Sequence, residues 1–146
     1  MNAIAEALVL KHSYECDVET LFNAWLDADT VRQFMCPGTS SVAELRWDAK
    51  VGGEFLIDMR QGDTPNLHTG RFTDITRPNR IAFTWNSQHA GKDTLVTLDF
   101  AETETRGRTL LTLTHERLPT ADAIGKHRGG WTSIMEKVAA AVPARG

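Results

Sequence analysis

The 146-residue chain has the composition of one ordinary globular domain: 41% of its residues are hydrophobic, 24% are charged and the mean hydropathy is -0.30. A domain of this length can bury a core without help from disulfides or metal ions. The net charge of -3 gives no electrostatic reason to expect nucleic acid or an anionic membrane as a partner.

The first quarter of the chain predicts a strand followed by two short helices. Alternating polarity over Ala5–Ser13 indicates the strand. The period then changes to that of a helix, and the apolar stripe comprises Val18, Leu21, Phe22 and Trp25. Asp17 is placed to cap this helix. A second helix begins near Asp27 or Asp29 and ends before Pro37–Gly38. Its predicted inward residues are Val31, Phe34 and Met35.

From Ser41 onward the period is two, which indicates strands. Six candidates follow in chain order: Ser41–Trp47, Gly53–Arg60, Leu67–Ile75, Arg80–Asn86, Thr94–Phe100 and Thr109–Glu116. Short turns separate them, so neighbouring strands are expected to be antiparallel. One face is apolar and carries Phe55, Ile57, Met59, Ile81, Phe83, Trp85, Leu111, Leu113 and His115. The acids Glu44, Glu54 and Asp58 fall on the opposite face, which we interpret as solvated.

The segment Leu118–Val142 predicts one long helix that covers the apolar face, with Thr120 as its N-cap. The inner stripe comprises Ile124, His127, Trp131, Ile134, Met135, Val138 and Val142. Gly129–Gly130 interrupts the stripe at a cost of about 2 kcal/mol relative to alanine, so close approach of a ligand or strand, or a bend, is expected there.

The predicted fold class is therefore α+β. A curved antiparallel sheet of six to seven strands packs on a long C-terminal helix, and two short helices lie between strands one and two. We expect residues 1–146 to form a single domain of this kind, as a monomer or a homodimer.

Five motifs in one order resemble the START-like (SRPBCC, helix-grip) superfamily, and within it the C-terminal domain of the activator of heat-shock protein ninety ATPase. The motifs are Val51–Phe55, His68–Ile75, Pro78–Trp85, Thr109–His115 and Gly130–Trp131. The resemblance extends from about Leu8 to Val138 and implies a helix-grip fold. It implies no single function, because this fold serves lipid and polyketide binding, cyclisation, co-chaperone work and unassigned stress roles.

The chain carries no predicted export or membrane signal. Met1–Glu6 is not a basic leader followed by an apolar core, and no stretch reaches the roughly 18 uncharged apolar residues of a membrane span. We expect a cytoplasmic protein without membrane insertion. The cysteines Cys16 and Cys36 are too few for a disulfide framework. We interpret them as small, partly buried hydrophobic residues, with a redox pair as the alternative.

The main functional prediction is binding of a small apolar or amphipathic molecule between the sheet and the C-terminal helix. The predicted ligand-binding residues are Phe34, Met59, Phe72, Phe83, Trp85, His115, His127, Gly130, Trp131 and Met135. Trp85 and Trp131 supply apolar surface and one N–H donor each, or they simply fill the core. His115 and His127 are the expected polar anchors, unless backbone or water satisfies them.

Two other function classes stay open. An interaction module similar to the chaperone-ATPase activators predicts a filled interior and an exposed apolar patch for a chaperone or other protein. A cyclase or isomerase needs an acid/base pair inside the cavity with shifted titration. We assign no catalytic residue, because no nucleophile motif such as Gly-x-Ser-x-Gly occurs. The scattered histidines predict no metal site, and no cofactor is predicted.

Overall fold

The computed structural model of the chain describes residues 7–142, which form three helices and one seven-stranded sheet. In chain order the elements are β1 Leu8–Tyr14, α1 Val18–Leu26, α2 Ala28–Phe34, β2 Ser41–Trp47, β3 Glu54–Arg60, β4 Leu67–Thr76, β5 Arg80–Ser87, β6 Gly91–Glu102, β7 Thr109–Glu116 and α3 Ala121–Ala141. The α+β helix-grip prediction is confirmed. Three predictions extend beyond the described residues. They are the start of the first strand at Ala5, the absence of a leader in Met1–Glu6 and the inclusion of the last four residues in the domain.

The sheet order is β1-β7-β6-β5-β4-β3-β2, and every neighbouring pair is antiparallel. Strands β2 to β6 each pair with the next strand in the chain because the turns between them are short. β1 instead pairs with β7, with Leu8 opposite His115. β1 and β2 are thus the two edge strands, and the α1–α2 segment connects one edge of the sheet to the other.

Each helix begins at a side-chain cap. The Asp17 carboxylate accepts a hydrogen bond from the Thr20 backbone N–H at 2.8 Å, as its position before the apolar stripe predicts. Asp27, and not Asp29, caps α2. Thr120 Oγ1 accepts from the Ala123 backbone N–H at 3.0 Å and starts α3, which continues without interruption through the two glycines. No helix within residues 7–142 is long and apolar enough to cross a membrane.

The core lies between the inner face of the sheet and the three helices. Ring-on-ring contacts dominate its β2–β5 side, where the members of what we call the aromatic cluster are Trp47, Phe55, Phe72 and Phe83. The Phe55 ring lies over Gly70, where a Cβ would stand 2.5 Å from that ring and 2.0 Å from the Thr84 carbonyl oxygen. Glycine is therefore required at position 70.

One acid of the outer face departs from the prediction of a solvated surface. Glu44 and Glu54 are exposed, but Asp58 is only 3% exposed. Its carboxylate accepts a hydrogen bond from the Asn66 backbone N–H at 2.9 Å and forms an ion pair with Arg60 at 2.7 Å. The hydrogen bond from Asn66, assisted by Arg60, lowers the pKa of the Asp58 carboxyl. The β3–β4 turn and Arg60 thus cover a residue that alternation alone places in solvent.

Candidate ligand-binding site

A cavity of about 130 Å³ lies between α3 and the inner face of the sheet, and we call it the α3 cavity. Four other parts of the chain contribute to it: the α2–β2 loop, β3, the start of β4 and the end of β5 with its turn. Its apolar wall consists of Pro37, Met59, Trp85, Trp131 and Ile134, with Gly130 beside them. Its polar residues are Asn66, His68, His89, Lys126 and His127.

Five of the ten predicted ligand-binding residues line this cavity: Met59, Trp85, His127, Gly130 and Trp131. Phe34, Phe72, Phe83 and Met135 are buried in the packed core and do not border it. Phe34, for example, packs against Trp25 with ring centroids 4.7 Å apart. These four residues point inward by the same strand or helix period as the residues that line the cavity. Sequence periodicity therefore cannot distinguish core residues from cavity residues.

His115, the tenth predicted residue, lies behind Trp131 and is fully buried. The Trp131 Nε1–H donates to His115 Nδ1 at 3.0 Å, so Nδ1 is an acceptor and the ring proton resides on Nε2. His115 Nε2–H can then donate to Thr94 Oγ1 at 2.9 Å, and the Thr94 hydroxyl donates to the Trp85 carbonyl oxygen at 2.5 Å. This chain holds Trp131 in place and leaves both ring nitrogens of His115 occupied.

Burial keeps His115 neutral. Desolvation, followed by the nearby His127 ring, lowers the pKa of His115 to about 3. A second proton would also have to sit on Nδ1, directly opposite the Trp131 N–H. His115 therefore positions Trp131 and is a poor candidate for proton transfer at neutral pH.

Three other histidines line the cavity, and two of them, His127 and His68, lie against backbone carbonyl oxygens. His127 Nδ1 lies 2.8 Å from the Ala123 carbonyl oxygen and must donate to it, which leaves Nε2 as an acceptor in the neutral ring. Burial lowers the pKa of His127. His68 Nδ1 lies 3.1 Å from the Asn66 carbonyl oxygen, its ring packs on Trp85 with centroids 5.0 Å apart, and burial lowers its pKa to about 4.

The Trp85 indole borders the cavity, and its N–H group is closed off from solvent. Trp85 is 2% exposed, and its Nε1–H has no hydrogen-bond partner among the described residues. Trp25 Nε1 shares that condition but lies in the core against Phe34, away from the cavity. The Trp85 ring is also part of a continuous aromatic surface, since its centroid is 4.9 Å from that of Trp131. Trp85 and Trp131 thus form the aromatic part of the cavity wall.

Comparison with known proteins identifies the family. The family model for Activator of Hsp90 ATPase homolog 1-like proteins matches residues 15–142. The chain belongs to this family. None of the curated proteins shows significant sequence similarity to it.

Solved structures of similar proteins share the fold. The AHSA1 protein from Silicibacter pomeroyi is 25% identical, with a TM-score of 0.81, and the match covers 92% of this chain and 96% of that one. Protein CV1439 from Chromobacterium violaceum is 21% identical, with a TM-score of 0.81 and coverage of 93% and 96%. CalU16 from Micromonospora echinospora is 20% identical, with a TM-score of 0.72 and coverage of 92% and 74%.

The glycine pair of this AHSA1-like chain meets different surroundings at its two positions. A Cβ at Gly129 would have no heavy atom within 4 Å, whereas a Cβ at Gly130 would lie 3.9 Å from Pro37 Cβ, an ordinary contact. No strand approaches either glycine closely enough to exclude alanine. The close approach of a strand, which the sequence raised as one explanation of the glycine pair, is thus absent at both positions. Only Gly130 borders the cavity, where a ligand could approach it.

A larger depression, of about 550 Å³, lies on the opposite face of the sheet of this AHSA1-like domain. Its walls include the exposed side chains of Arg46, Glu54, Arg71 and Thr73, with the half-buried Thr84 beside them. Arg71 and Glu54 form an exposed ion pair at 3.2 Å. Because these groups already have protein or solvent partners, the depression offers less to an apolar ligand than the smaller α3 cavity with its apolar wall does.

Proposed function

We propose that this protein binds a small molecule with an apolar body in the α3 cavity. The observation that carries the proposal is the α3 cavity itself, which lies between the helix and the sheet and is bordered by Met59, Trp85, Trp131 and Ile134. Polar side chains at its edge, among them His127, would orient the ligand.

The apolar wall would supply the rest of the affinity. Met59, Ile134 and the two indole rings are already buried, so the apolar surface removed from water on binding would be mainly that of the ligand. Each Å² of apolar surface removed from water contributes about 25 cal/mol before the cost of ordering the ligand is subtracted. The family is consistent with such a role, since the helix-grip fold is a ligand-binding fold in several of its branches.

The mouth of the cavity is framed by a loop that is tied to α3. Lys137 Nζ donates to the Cys36 carbonyl oxygen and, at 2.8 Å, to that of Gly38. Ser133 Oγ accepts from the Gly38 backbone N–H at 2.8 Å. These bonds hold Pro37 over Gly130, so the proposed entrance lies on the side of His89 and Lys126, which are exposed.

The two alternative function classes have less support. An interaction module needs an exposed apolar patch, but the exposed large hydrophobic residues within residues 7–142 are Val9, Val51 and Leu67, which lie on separate elements. An acid/base enzyme needs a group that titrates near neutral pH. His68 is a weak base there because burial lowers its pKa to about 4.

Native mass spectrometry of the gently purified protein tests the proposal. We expect a co-purified small molecule, or failing that a thermal shift with members of a panel of small aromatic and aliphatic compounds. Gly130→Leu should abolish binding because its side chain would enter the cavity. Gly129→Leu is the matched control, since position 129 on the same helix faces open space.

The proposal would be overturned by a protein that has its ligand-free mass and shows no thermal shift with any panel member. Equal binding by the Gly130→Leu and Gly129→Leu variants would move the site elsewhere, to the outer depression first. Both results can be read independently of the ligand's exact chemistry.

A further inference from the structure

We infer that the open edge of the α3 cavity is a subsite for an anion, and that the ligand is an amphipathic monocarboxylate whose apolar body lies against the apolar wall. This inference rests on the proposed function and adds the chemical class of the ligand. Three observations lead to it: the sign of the ionisable side chains that border the cavity, the engagement of the neighbouring acids and the accessible ring nitrogen of His127.

Every ionisable side chain that borders the cavity is a base. Within residues 7–142 no Asp or Glu lines it, and its ionisable members are His68, His89, Lys126 and His127. This bias is local, because the whole chain has 19 acidic residues against 16 Lys and Arg. The outer depression, by contrast, has both arginines and carboxylates on its walls. A concave surface lined by potential charges of one sign attracts ions of the opposite sign.

Three of these bases lie where a ligand can reach them. His89 and Lys126 are exposed and His127 is half-buried, whereas His68 is only 6% exposed. His89 acts electrostatically on both His127 and His68, so the three rings belong to one group. The open edge of the cavity thus combines an ammonium group with histidines that can become cations.

Two acids interact with these bases from outside the cavity. The Asp58 carboxylate acts on His68 but is itself paired with Arg60 at 2.7 Å. Asp122 forms an ion pair with Lys126 at 3.4 Å, in which both side chains are more than half exposed. Exposed pairs of this kind are weak, so a bound anion can compete for the ammonium group.

His127 can donate to a carboxylate once it has taken up one proton. Its Nδ1 donates to the Ala123 carbonyl oxygen at 2.8 Å, so Nε2 carries a lone pair in the neutral ring. Nε2 has no hydrogen-bond partner among the described residues, and it is not sealed from solvent as Trp85 Nε1 is. A carboxylate beside Nε2 favours the charged ring, so binding should draw a proton from the solvent.

The ionisable groups around His127 oppose that proton until an anion arrives. His115 of β7 lies 5.0 Å away between ring centroids, His68 comes from β4 and His89 from the turn between β5 and β6. Lys126 precedes His127 on α3. Burial also lowers the pKa of His127, so the ring is neutral in the free protein at pH 7.5. Affinity for an anion should therefore rise as the pH falls, because the complex holds more protons than the free protein.

Two acids and their amides test the inference on the intact protein: 3-phenylpropanoate with 3-phenylpropanamide, and octanoate with octanamide. Each amide has nearly the size and shape of its acid but carries no charge. Dissociation constants are measured by calorimetry at pH 8, 7 and 6, where the acids stay ionised. We expect an acid to bind roughly tenfold more tightly than its amide at pH 6, and the ratio to decrease toward pH 8.

Calorimetry at pH 7 in two buffers of different ionisation enthalpy, HEPES and Tris, measures the proton directly. The heat of binding of the acid should differ between the buffers, because the proton taken up by the complex comes from the buffer. The heat of binding of the amide should be the same in both. Whichever acid binds more tightly then tells whether the apolar body is aromatic or aliphatic.

His127→Gln keeps a polar side chain that cannot be protonated, so the ratio of acid to amide affinity should become independent of pH. Lys126→Met removes the positive charge and should weaken the acid by roughly threefold without affecting the amide. The matched controls are His12→Gln on β1 and Lys50→Met, both outside the cavity. Lys50, like Lys126, is exposed and forms an exposed ion pair, with Asp48 at 3.8 Å.

Amides that bind as tightly as their acids at pH 6 would overturn the anion subsite and leave the proposed function standing. An acid preference that ignores pH and survives both cavity variants would also overturn it, because the anion would lie elsewhere. If none of the four compounds binds, the inference fails; the proposed function fails only if its ligand panel and native mass spectrum are also negative. Since acid and amide are compared in the unmodified protein, the inference is tested even if a variant folds poorly.

Discussion

Two adjoining parts of the inner sheet face are built from aromatic rings, yet one is filled and the other borders a cavity. In the aromatic cluster, Phe55 and Phe83 meet at 5.3 Å between centroids and Phe72 and Phe83 at 5.7 Å. These phenyl rings carry no polar atoms and are free to turn until they fill space. The only indole of the cluster, that of Trp47, donates to the Trp25 carbonyl oxygen at 2.9 Å.

Around the α3 cavity the rings carry nitrogen atoms, and hydrogen bonds decide how the rings are turned. Trp131 is directed at His115, and His127 at the carbonyl oxygen of its own helix. A ring held by such a bond cannot also rotate to close a gap beside it. In this domain, space therefore remains where the polar rings meet and not where the phenyl rings pack.

The largest expected effect belongs to the filled region. Phe72→Ala should lower the free energy of unfolding by about 3–5 kcal/mol, because it leaves a large cavity among rings that cannot collapse. Ligand affinity, measured on the folded variant at low temperature, should change little. Urea denaturation measures the free energy of unfolding of the variant and of the unmodified protein. A decrease of less than about 1 kcal/mol would mean that the cluster is not the packed region we describe.

The second effect belongs to the polar rings and depends on pH. His68 and His115 have folded-state pKa values of about 4 and about 3, below the reference value of 6.5. The unfolded chain therefore binds more protons, and stability is lost as the pH falls below about 6.5, down to the folded-state values. At pH 5 each histidine should reduce the free energy of unfolding by roughly 2 kcal/mol relative to pH 7.5.

Urea midpoints measured at pH 7.5 and pH 5 check this loss. The His68→Gln variant should show a smaller difference between its urea midpoints at the two pH values. The control is His12→Gln, which replaces a histidine on β1 and should show the same difference as the unmodified protein. A stability that is unchanged between the two pH values would contradict the assignment of His68 and His115 as neutral buried rings.

The third prediction separates the two indoles that face each other. Trp131→Phe leaves His115 Nδ1 without its donor and should cost about 1–3 kcal/mol beyond the loss of ring volume. Trp85→Phe removes the same atoms but no hydrogen bond within the described residues, so it should cost less. Denaturation curves of both variants give the difference between their free energies of unfolding. Equal decreases in the two variants would mean that the Trp131–His115 hydrogen bond contributes nothing to stability.

The smallest effect concerns the glycine pair of α3. Gly129→Ala should stabilise the protein by about 1 kcal/mol through helix propensity, since its Cβ meets open space. Gly130→Ala should stabilise it similarly but weaken ligand binding, because its Cβ would border the cavity beside Pro37. Thermal unfolding and ligand titration of both variants test this, and a destabilising Gly129→Ala would show that the glycine has another role.

Much of the architecture could be predicted from local patterns. The strands Ser41–Trp47 and Thr109–Glu116 have the predicted bounds, and Asp17 and Thr120 are the predicted caps. Strand Thr94–Phe100 was predicted too short, since β6 runs over Gly91–Glu102. Its ends pair with β5 and β7, and such pairing extends a strand through residues whose own preference is weak.

The candidate site could be predicted only in part. Trp85, His127 and Trp131 are inward residues by strand or helix period, and they border the cavity. Asn66 and His89 come from turns, which carry no period, so no local signal indicates that they face α3. His68 Nδ1 lies 3.1 Å from the Asn66 carbonyl oxygen, and the place of its ring beside Trp85 depends on β4–β5 pairing.

By itself, the sequence determined which residues point inward, because the periods of strands and helices depend only on neighbours along the chain. Tertiary structure alone decided which inward residues fill the core and which border space. His115 and His127 illustrate the difference, since both are inward by period. Only the meeting of β7 with α3 places Trp131 Nε1 on His115 and leaves His127 at the cavity. Distances between elements depend on the packing of the whole domain, which no local pattern contains.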